Sequence, residues 1–238
     1  PLAGVADGDL RDPECLARVA HNGETLLVVA SSLCVMGGNG SGQHQVCDGL
    51  VRVRYQPHGD LHAEPMHGFR DWLLDHVPSL AAAAEQGPDA GGLNIEGVAW
   101  DPHTRALLFG LRGPADRGIV TVIRVPIDAP VAQWTAEALG TPSILHVALP
   151  RAKAKQGIRD ISYDEQAGDF LLLVGRSLSM SDEPFQLCAW DGSGDTLTPF
   201  DVKFHRSMKP EGVFAFSAGD ERRLLIVDDG GGYAVLDY

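Results

Sequence analysis

Residues 93–102, Leu-Asn-Ile-Glu-Gly-Val-Ala-Trp-Asp-Pro, decide the fold because the rest of the chain repeats their pattern. Glu96 opens a short apolar alternation, Asp101-Pro102 is a turn signal, and a strongly hydrophobic run follows from Ala106 to Gly113. Alternation with a period of two residues is typical of a half-buried β-strand. The segment therefore predicts two antiparallel strands joined by a tight turn.

The same pair of strands is predicted at four places along the chain. The paired segments are PECLARV with TLLVVASS, IEGVAW with ALLFGLRG, IRDISY with FLLLVGRS, and PEGVFAF with RLLIVDDG. The second and third repeats each contain four short strands, and the fourth contains three before the chain stops. A repeat of about 40–50 residues with four strands is the signature of a β-propeller blade.

We therefore predict an all-β fold, a β-propeller with four visible blades in one domain over residues 1–238. A fifth blade is possible if a segment precedes Pro1. The fourth repeat lacks an outer strand, whereas residues 1–10 offer a strand without a blade. Pairing the two would close the ring and remove exposed edges. A β-sandwich with irregular repeats is the structural alternative.

One helical insertion is expected near residues 66–86. Phe69, Trp72, Leu73, Val77 and Leu80 recur there at helical spacing. An alanine run extends the segment, and proline at position 78 interrupts or restarts the helix. We expect this insertion to lie between blades one and two, with its apolar stripe packed against the β framework.

The segments NIEGVAWDP with LLFGLRGP, GIRDISYD with FLLLVGRS, and KPEGV with LLIVDDG resemble an uncharacterised bacterial β-propeller family of unknown function. The resemblance covers residues 12–32 and 90–232. More distantly, the chain is similar to phytase-related esterase-like propellers, which also begin blades with an acidic-Gly pair. Members of the closer family usually carry one more blade-like segment at the N-terminus. The resemblance implies the propeller fold and transfers no established activity.

The composition excludes some classes of partner. The 238 residues carry a formal charge of −13, whereas proteins that bind nucleic acid or anionic membranes concentrate Lys and Arg. We therefore expect a small polar molecule or a cation, with no nucleic acid and no membrane partner. No apolar run is long enough to span a bilayer. Because the chain begins at Pro1, the absence of a leader peptide carries no weight, and a cytoplasmic location is the default expectation.

The cysteines and histidines show no zinc-type spacing. Cys34 and Cys47 flank a glycine-rich loop at residues 37–42 and could pair across it. Buried or incidental thiols are the simpler interpretation for all of the cysteines: Cys15, Cys34, Cys47 and Cys188. The histidines around the helix also lack an HxxxH pattern: His58, His62, His67 and His76.

Propeller geometry places the candidate site residues on one face. The start of each innermost strand and the end of the next strand lie at the same end of the blade. This places the acidic residues Glu14, Glu96, Asp160 and Glu211 beside Ser31, Ser32, Arg112, Arg176, Asp228 and Asp229. Asn94, Arg159 and Lys209 lie within two positions of the acidic residues. We expect Glu96 to lie next to Arg112 of its own blade.

A ring of carboxylates around one axis would repel strongly unless it were neutralised. A divalent cation such as Ca²⁺ prefers oxygen ligands, and the candidates are Glu14, Glu96, Asp160, Glu211, Asp228 and Asp229. Alternatively, Arg112, Arg159, Arg176 and Lys209 could pair with the ring in a structural network. In the first case, the face binds a small polar ligand or cation, and hydrolysis of esters, lactones or phosphoesters is an activity that would fit it. In the second, the propeller is a non-catalytic scaffold.

Overall fold

The computed structural model describes residues 4–6, 8–37, 44–55, 59–150, 155–178 and 183–238. Residues 1–3, residues 38–43 of the glycine-rich loop and His58 lie outside these ranges. Antiparallel sheets of four, four, four and three strands, in chain order, are arranged as four blades of a β-propeller, which confirms the predicted fold class.

Blade one and the insertion fill the first third of the chain. Its strands are β1 (Pro13–His21), β2 (Glu24–Ser31), β3 (Val35–Met36), β4 (Gln45–Val46), β5 (Leu50–Tyr55) and β6 (Leu61–Met66). The sheet order is β1-β2-β5-β6, and β3 and β4 form a separate two-stranded hairpin. The insertion contains α1 (Phe69–His76), a 3-10 turn (Pro78–Leu80), α2 (Ala81–Ala84) and a second 3-10 turn (Pro88–Ala90).

The other three blades follow in chain order. Blade two contains β7 (Asn94–Asp101), β8 (Ala106–Gly113), β9 (Ile119–Pro126) and β10 (Ser143–Ala148), with a 3-10 turn (Ala136–Ala138) before β10. Blade three contains β11 (Gln156–Asp164), β12 (Asp169–Arg176), β13 (Gln186–Trp190) and β14 (Thr198–Pro199). Blade four contains β15 (Pro210–Ala218), β16 (Glu221–Asp228) and β17 (Tyr233–Asp237).

The first two strands of each blade form a tight hairpin whose turn chemistry is visible in the sequence. Between β1 and β2, Asn22 and Gly23 adopt φ values of 50° and 79°, which suit the Asn-Gly turns of hairpins. In blade two, Asp101 accepts hydrogen bonds from the backbone N–H of His103 and Thr104. These short turns hold the ends of the inner hairpins in register.

The helical insertion lies between blades one and two, as predicted, and α1 ends at His76, two residues before Pro78. Phe69, Leu73, Val77 and Leu80 are buried in one core with residues of blades one and two. The apolar stripe is therefore packing surface. No helix in the described ranges is long and apolar enough to cross a membrane.

The described part of residues 1–10 does not form the predicted closure of the ring. Residues 4–6 and 8–12 form no strand, and β17 pairs only with β16 among the described strands. Val5 and Leu10 instead pack on blade one against Val51 and Val53. Burial of these two apolar side chains on the nearer sheet replaces the backbone pairing expected with the distant blade four.

The innermost strands position the candidate site. β1, β7, β11 and β15 contact one another in that order. Separate apolar cores join neighbouring blades, and the core between blades three and four contains Leu171, Leu173, Val213, Leu224 and Ile226. Because the inner strands are held by these cores, their first residues open together at one end of the channel, which we call the channel mouth.

Candidate functional site

Each innermost strand carries a β-bulge near its start. In β1, β7, β11 and β15, the pairing with the next strand skips one residue: Glu14, Glu96, Arg159 and Glu211, respectively. A bulge leaves one residue unpaired and redirects its side chain, and bulges are common beside functional sites. All four bulged residues line one cavity at the channel mouth.

Asp160 does not belong to this ring, contrary to the alignment of acidic residues. The bulged residue of β11 is Arg159, so Asp160 occupies the position of Gly97 and Gly212 in the neighbouring inner strands. A shift of one residue along a strand turns the side chain to the other face. Asp160 therefore faces a second cavity, which we call the inner groove.

The carboxylate of Asp160 is held by backbone groups. It accepts hydrogen bonds from the N–H of Ile161 at 2.8 Å and of Val213 at 2.7 Å, and the second bond joins blades three and four. Burial nevertheless raises the pKa of Asp160 to about 7, although these hydrogen bonds oppose the shift. The geometry assigns Asp160 a structural contact between two blades.

Glu96 is the centre of the charge network. It is only 4% exposed and lies 2.7 Å from both Nη1 of Arg112 and Nη1 of Arg159. The contact with Arg112 confirms the expected neighbour. Asn94, also buried, donates a 3.1 Å hydrogen bond from Nδ2 to Oε1 of Glu96. The Arg159 contact to Oε2 is close enough for an ion pair but is not aligned as a hydrogen bond.

Arg159 connects Glu96 to blade four. Its second terminal nitrogen forms an ion pair with Oε1 of Glu211, so the acidic and basic side chains alternate from Arg112 to Glu96, Arg159 and Glu211. Burial raises the pKa of Glu211, and the charge of Arg159 opposes that shift. The network ties blades two, three and four together at the channel mouth.

Glu14 of blade one stands apart from this chain of ion pairs. Its side chain has no ion-pair or hydrogen-bond partner within the described ranges. Burial, reinforced by the negative charges of Glu96, Asp12 and Glu211, raises its pKa to about 7. Glu14 therefore differs from the other two glutamates of the ring, which both contact Arg159.

Arg176, at the end of β12, is the second charged side chain without a counter-ion. Its guanidinium carbon lies 5.7 Å from the ring centre of Phe185, a cation–π arrangement. Its Nε is buried without a hydrogen-bond partner. No carboxylate of the described residues forms an ion pair with it. The aromatic ring holds this guanidinium in place without neutralising it.

The remaining predicted residues lie at the edge of blade four. Lys209 and Asp229 form an exposed ion pair at 3.5 Å. Asp228 accepts hydrogen bonds from the backbone N–H of Lys209 and Gly230. The Asp228 carboxylate therefore stabilises the turn that follows β16.

The channel-mouth cavity has a volume of about 470 Å³, within the range of small-molecule sites. It is lined by Glu14, Glu96, Arg112, Arg159, Arg176, Phe185, Lys209, Glu211 and Asp229. Three predicted site residues, Asn94, Asp160 and Asp228, do not line it. Sequence reasoning missed Phe185, which directly precedes β13.

The ring glutamates are not gathered as metal ligands. Within the described residues, the one group of His, Cys, Asp and Glu side chains that could share an ion is Asp12, Cys34 and Cys47. Two of the ring glutamates contact arginine instead. A group that can bind a metal therefore exists in blade one, outside the set expected from the sequence.

A family profile described as "Protein of unknown function (DUF3616)" matches residues 77–232. The chain belongs to this family. The matched region contains blades two, three and most of blade four, together with the end of the insertion. It therefore includes the Arg112–Glu96–Arg159–Glu211 network and Arg176.

Two solved structures align with the DUF3616 chain, and the first of them shows similarity of fold. An engineered GH43 glycoside hydrolase with endo-xylanase and exo-arabinofuranosidase activity aligns with a TM-score of 0.50 and 11% identity, covering 95% of this chain and 38% of that chain. The extracellular domain of a protein assigned to a hybrid two-component system of B. thetaiotaomicron aligns with a TM-score of 0.35 and 12% identity, covering 95% of this chain and 27% of that chain. This chain thus spans well under half of each. No curated protein matches the sequence.

Proposed function

We propose that the channel-mouth cavity binds a small organic anion, a carboxylate or phosphate compound with further polar groups. The observation that carries the proposal is Arg176, a cavity-lining guanidinium with neither a carboxylate nor a hydrogen-bond partner on its buried Nε. A guanidinium can bind carboxylate or phosphate oxygens with two parallel hydrogen bonds. Its stacking on Phe185 reduces the rotamer entropy that binding would cost.

The electrostatics favour an anion over Ca²⁺ in this cavity. Ca²⁺ would need several oxygen ligands, yet Glu96 and Glu211 already contact arginine. Taking these carboxylates as ligands would leave Arg112 and Arg159 facing a divalent cation, and breaking a buried pair is costly. An anion could bind at Arg176 without breaking any of these ion pairs.

A thermal-melting experiment tests the proposal. Inorganic phosphate, glucose 6-phosphate, gluconate and CaCl₂ are added separately, because a ligand of the native state raises the melting temperature by mass action. We expect at least one organic anion to raise it, and Arg176→Met to abolish the shift. The matched control is Arg105→Met, at the exposed turn between β7 and β8, which should keep the shift.

Two results would count against anion binding. A shift with CaCl₂ alone, unaffected by Arg176→Met, would favour the cation. No shift with any compound would favour the non-catalytic scaffold, in which the charged ring only joins the blades.

A hydrolytic role on esters, lactones or phosphoesters is a second candidate, favoured by Glu14. It is the ring carboxyl without an ion-pair or hydrogen-bond partner in the described ranges, so its proton can be exchanged with a bound substrate. General acid–base catalysis of this kind contributes about 10²–10⁴-fold. Hydrolysis of p-nitrophenyl acetate and p-nitrophenyl phosphate, compared between the wild type and Glu14→Gln, is the measurement. Anion binding without any turnover by the wild type would assign the cavity to binding alone.

A further inference from the structure

A second cluster of reactive side chains lies in blade one, separate from the channel-mouth cavity. Sγ of Cys34 lies 3.8 Å from Sγ of Cys47 and 3.7 Å from Oδ2 of Asp12. The possible ligand atoms of all three residues lie within 4.8 Å of one another. Both thiols are buried, with residue exposures of 3% and 1%. Three side chains from separate parts of the sequence therefore converge on one point.

The distances match a tetrahedral zinc site. Two sulfurs bound to Zn²⁺ at about 2.3 Å lie about 3.8 Å apart, and an oxygen bound at about 2.0 Å lies about 3.5 Å from each sulfur. The Sγ–Sγ separation is 3.8 Å and the Sγ–Oδ2 separation is 3.7 Å. Sulfurs in van der Waals contact would also approach to roughly this distance. The carboxylate at the third vertex is what distinguishes the arrangement from simple packing.

The backbone holds these residues in place without help from their side chains. The N–H of Cys47 donates to the carbonyl of Cys34 at 2.9 Å, beside the β3–β4 hairpin. The N–H of Ser32 donates to the carbonyl of Asp12 at 3.0 Å. Asp12 and Leu33 both adopt left-handed φ values, 54° and 57°, which cost energy for residues other than glycine. Such conformations persist where the surrounding contacts hold them.

The insertion also supports the cluster. Buried Arg70 of α1 donates from Nε to the carbonyl of Leu33 at 2.9 Å, and from Nη2 to the carbonyl of Ala84 at 2.6 Å. Its backbone N–H donates to Oδ1 of Asp48 at 2.9 Å. The residues next to both cysteines are therefore joined to the helical insertion, and an ion bound at the cluster would brace this insertion against blade one.

We propose that Asp12, Cys34 and Cys47 bind a zinc ion. Thiolates select a borderline-soft metal such as Zn²⁺ over Ca²⁺ or Mg²⁺, and three protein ligands leave one position for water. The ion replaces two thiol protons, which are released to solvent on binding. A disulfide between the same cysteines would make no use of the Asp12 carboxylate. The role we assign to the ion is to hold the start of β1, the β3–β4 hairpin and the insertion together.

The test uses the whole chain, reduced and freed of metal, to which ZnCl₂ or CoCl₂ is added. We expect one zinc ion per chain and a rise in melting temperature by mass action. With Co²⁺, we expect the thiolate charge-transfer absorption and strong visible bands of a tetrahedral site. The cobalt spectrum is recorded on the unaltered chain, so it does not depend on whether a variant folds.

Substitutions then identify the ligands. Cys34→Ser and Asp12→Asn should each weaken zinc binding by more than about tenfold, since even the loss of an outer contact to a metal ligand costs that much. Asn tolerates the left-handed conformation of position 12. The matched controls are Cys188→Ala, a buried thiol in another core, and Glu24→Gln, an exposed carboxyl of the same blade. Both controls should bind zinc as the wild type does.

Three results would overturn the zinc site. The first is failure of the reduced chain to take up zinc. Oxidation of Cys34 and Cys47 to a disulfide when zinc is added, with no zinc bound, counts as such a failure. The second is a cobalt spectrum without thiolate absorption. The third is zinc binding that is insensitive to both Cys34→Ser and Asp12→Asn, which would place the ion elsewhere.

Discussion

The channel mouth and the inner groove are lined by the same four inner strands, but their side chains differ in character. The mouth cavity contains eight charged residues and one phenylalanine. The inner groove, about 640 Å³ in volume, is lined mainly by apolar residues such as Val98, Ile161 and Val213, together with a few charged residues such as Asp164 and Arg222. The change from one to the other occurs at the bulge of each strand. The one unpaired residue of each inner strand therefore marks the boundary between the charged channel mouth and the mainly apolar inner groove.

The partners of the buried acidic residues also differ between the two regions. At the mouth, Glu96 is buried but contacts two arginines. In the groove, Asp160 is held by backbone N–H groups alone. Ion pairs connect blades two to four at the mouth. In the groove, blades three and four are joined by the hydrogen bond from the Val213 N–H to the Asp160 carboxylate and by the ion pair between Arg222 and Asp164. The two regions should respond differently to substitution and to pH.

The largest effect is expected at the mouth, from Glu96→Ala. Removal of this carboxylate leaves Arg112 without its 2.7 Å ion pair and Arg159 with one of its two pairs. Breaking a buried ion pair by removing one of its members costs about 3–5 kcal/mol. Urea unfolding measures the loss. Glu14→Gln removes a carboxyl from the same cavity without breaking an ion pair, and should change the free energy of unfolding by less than about 1 kcal/mol. Equal losses in the two variants would contradict the proposed network.

A smaller effect, dependent on pH, is expected in the groove from Asp160→Asn. The amide replaces one carboxylate oxygen by a donor facing a backbone N–H, a cost of about 1–3 kcal/mol. Because the pKa of Asp160 rises from 3.8 to about 7 on folding, the folded protein binds more protons than the unfolded chain between these values. The contribution of Asp160 to stability therefore falls as pH rises through this window.

Urea unfolding at each pH measures this effect. The free energy of unfolding of the wild type should exceed that of Asp160→Asn by the largest amount near pH 4 and by a smaller amount at pH 8. Asp191→Asn is the opposite control. Backbone hydrogen bonds from Gly194 and Ser193 lower the pKa of Asp191, so the stabilisation that Asp191 provides is lost as pH falls. The difference in free energy of unfolding between the wild type and Asp191→Asn should therefore be larger at pH 8 than at pH 4. Parallel behaviour of the two variants would show that burial does not dominate at Asp160.

The smallest effect is expected from Phe214→Ser in the groove. Phe214 is 50% exposed, and its ring lines the groove outside the charge network. Surface substitutions of this kind change stability by about 0.5 kcal/mol or less. The melting temperature and the response to anions should both stay close to those of the wild type. A lost anion response in this variant would show that the mouth and the groove are coupled.

Much of the fold could be predicted from the sequence. The period-two alternation located the first two strands of each blade, and the Asn22-Gly23 and Asp101-Pro102 signals located their turns. Helical spacing from Phe69 to Leu80 located the insertion. Residues 4–6 and 8–10 were misassigned because a short apolar segment is equally suited to a strand and to a packed turn. Only the packing of Val5 and Leu10 on blade one decides between these outcomes.

The candidate site was predictable in part. The expected neighbour of Glu96 was Arg112, because both stand at the same end of one hairpin. The choice of Asp160 over Arg159 as the ring residue was wrong by one position. Aligning IRDISY with IEGVAW places Arg159 opposite Glu96, but chemical similarity favoured the acidic residue. The position of the bulge, which depends on the pairing of β11 with β12, decides which of the two residues faces the channel mouth.

Hydrophobic periodicity and turn chemistry are local properties, so the repeat, the inner hairpins, the insertion and the face that carries the charged residues could all be predicted without the structure. The tertiary structure alone decided the contacts beyond the single hairpin. Glu96 contacts Arg159 of the next blade, Arg176 stacks on Phe185, and Asp12 meets Cys34 and Cys47. These contacts join residues far apart in the chain or on different strands. Their existence depends on blade packing and on one-residue shifts in register, which no local pattern specifies.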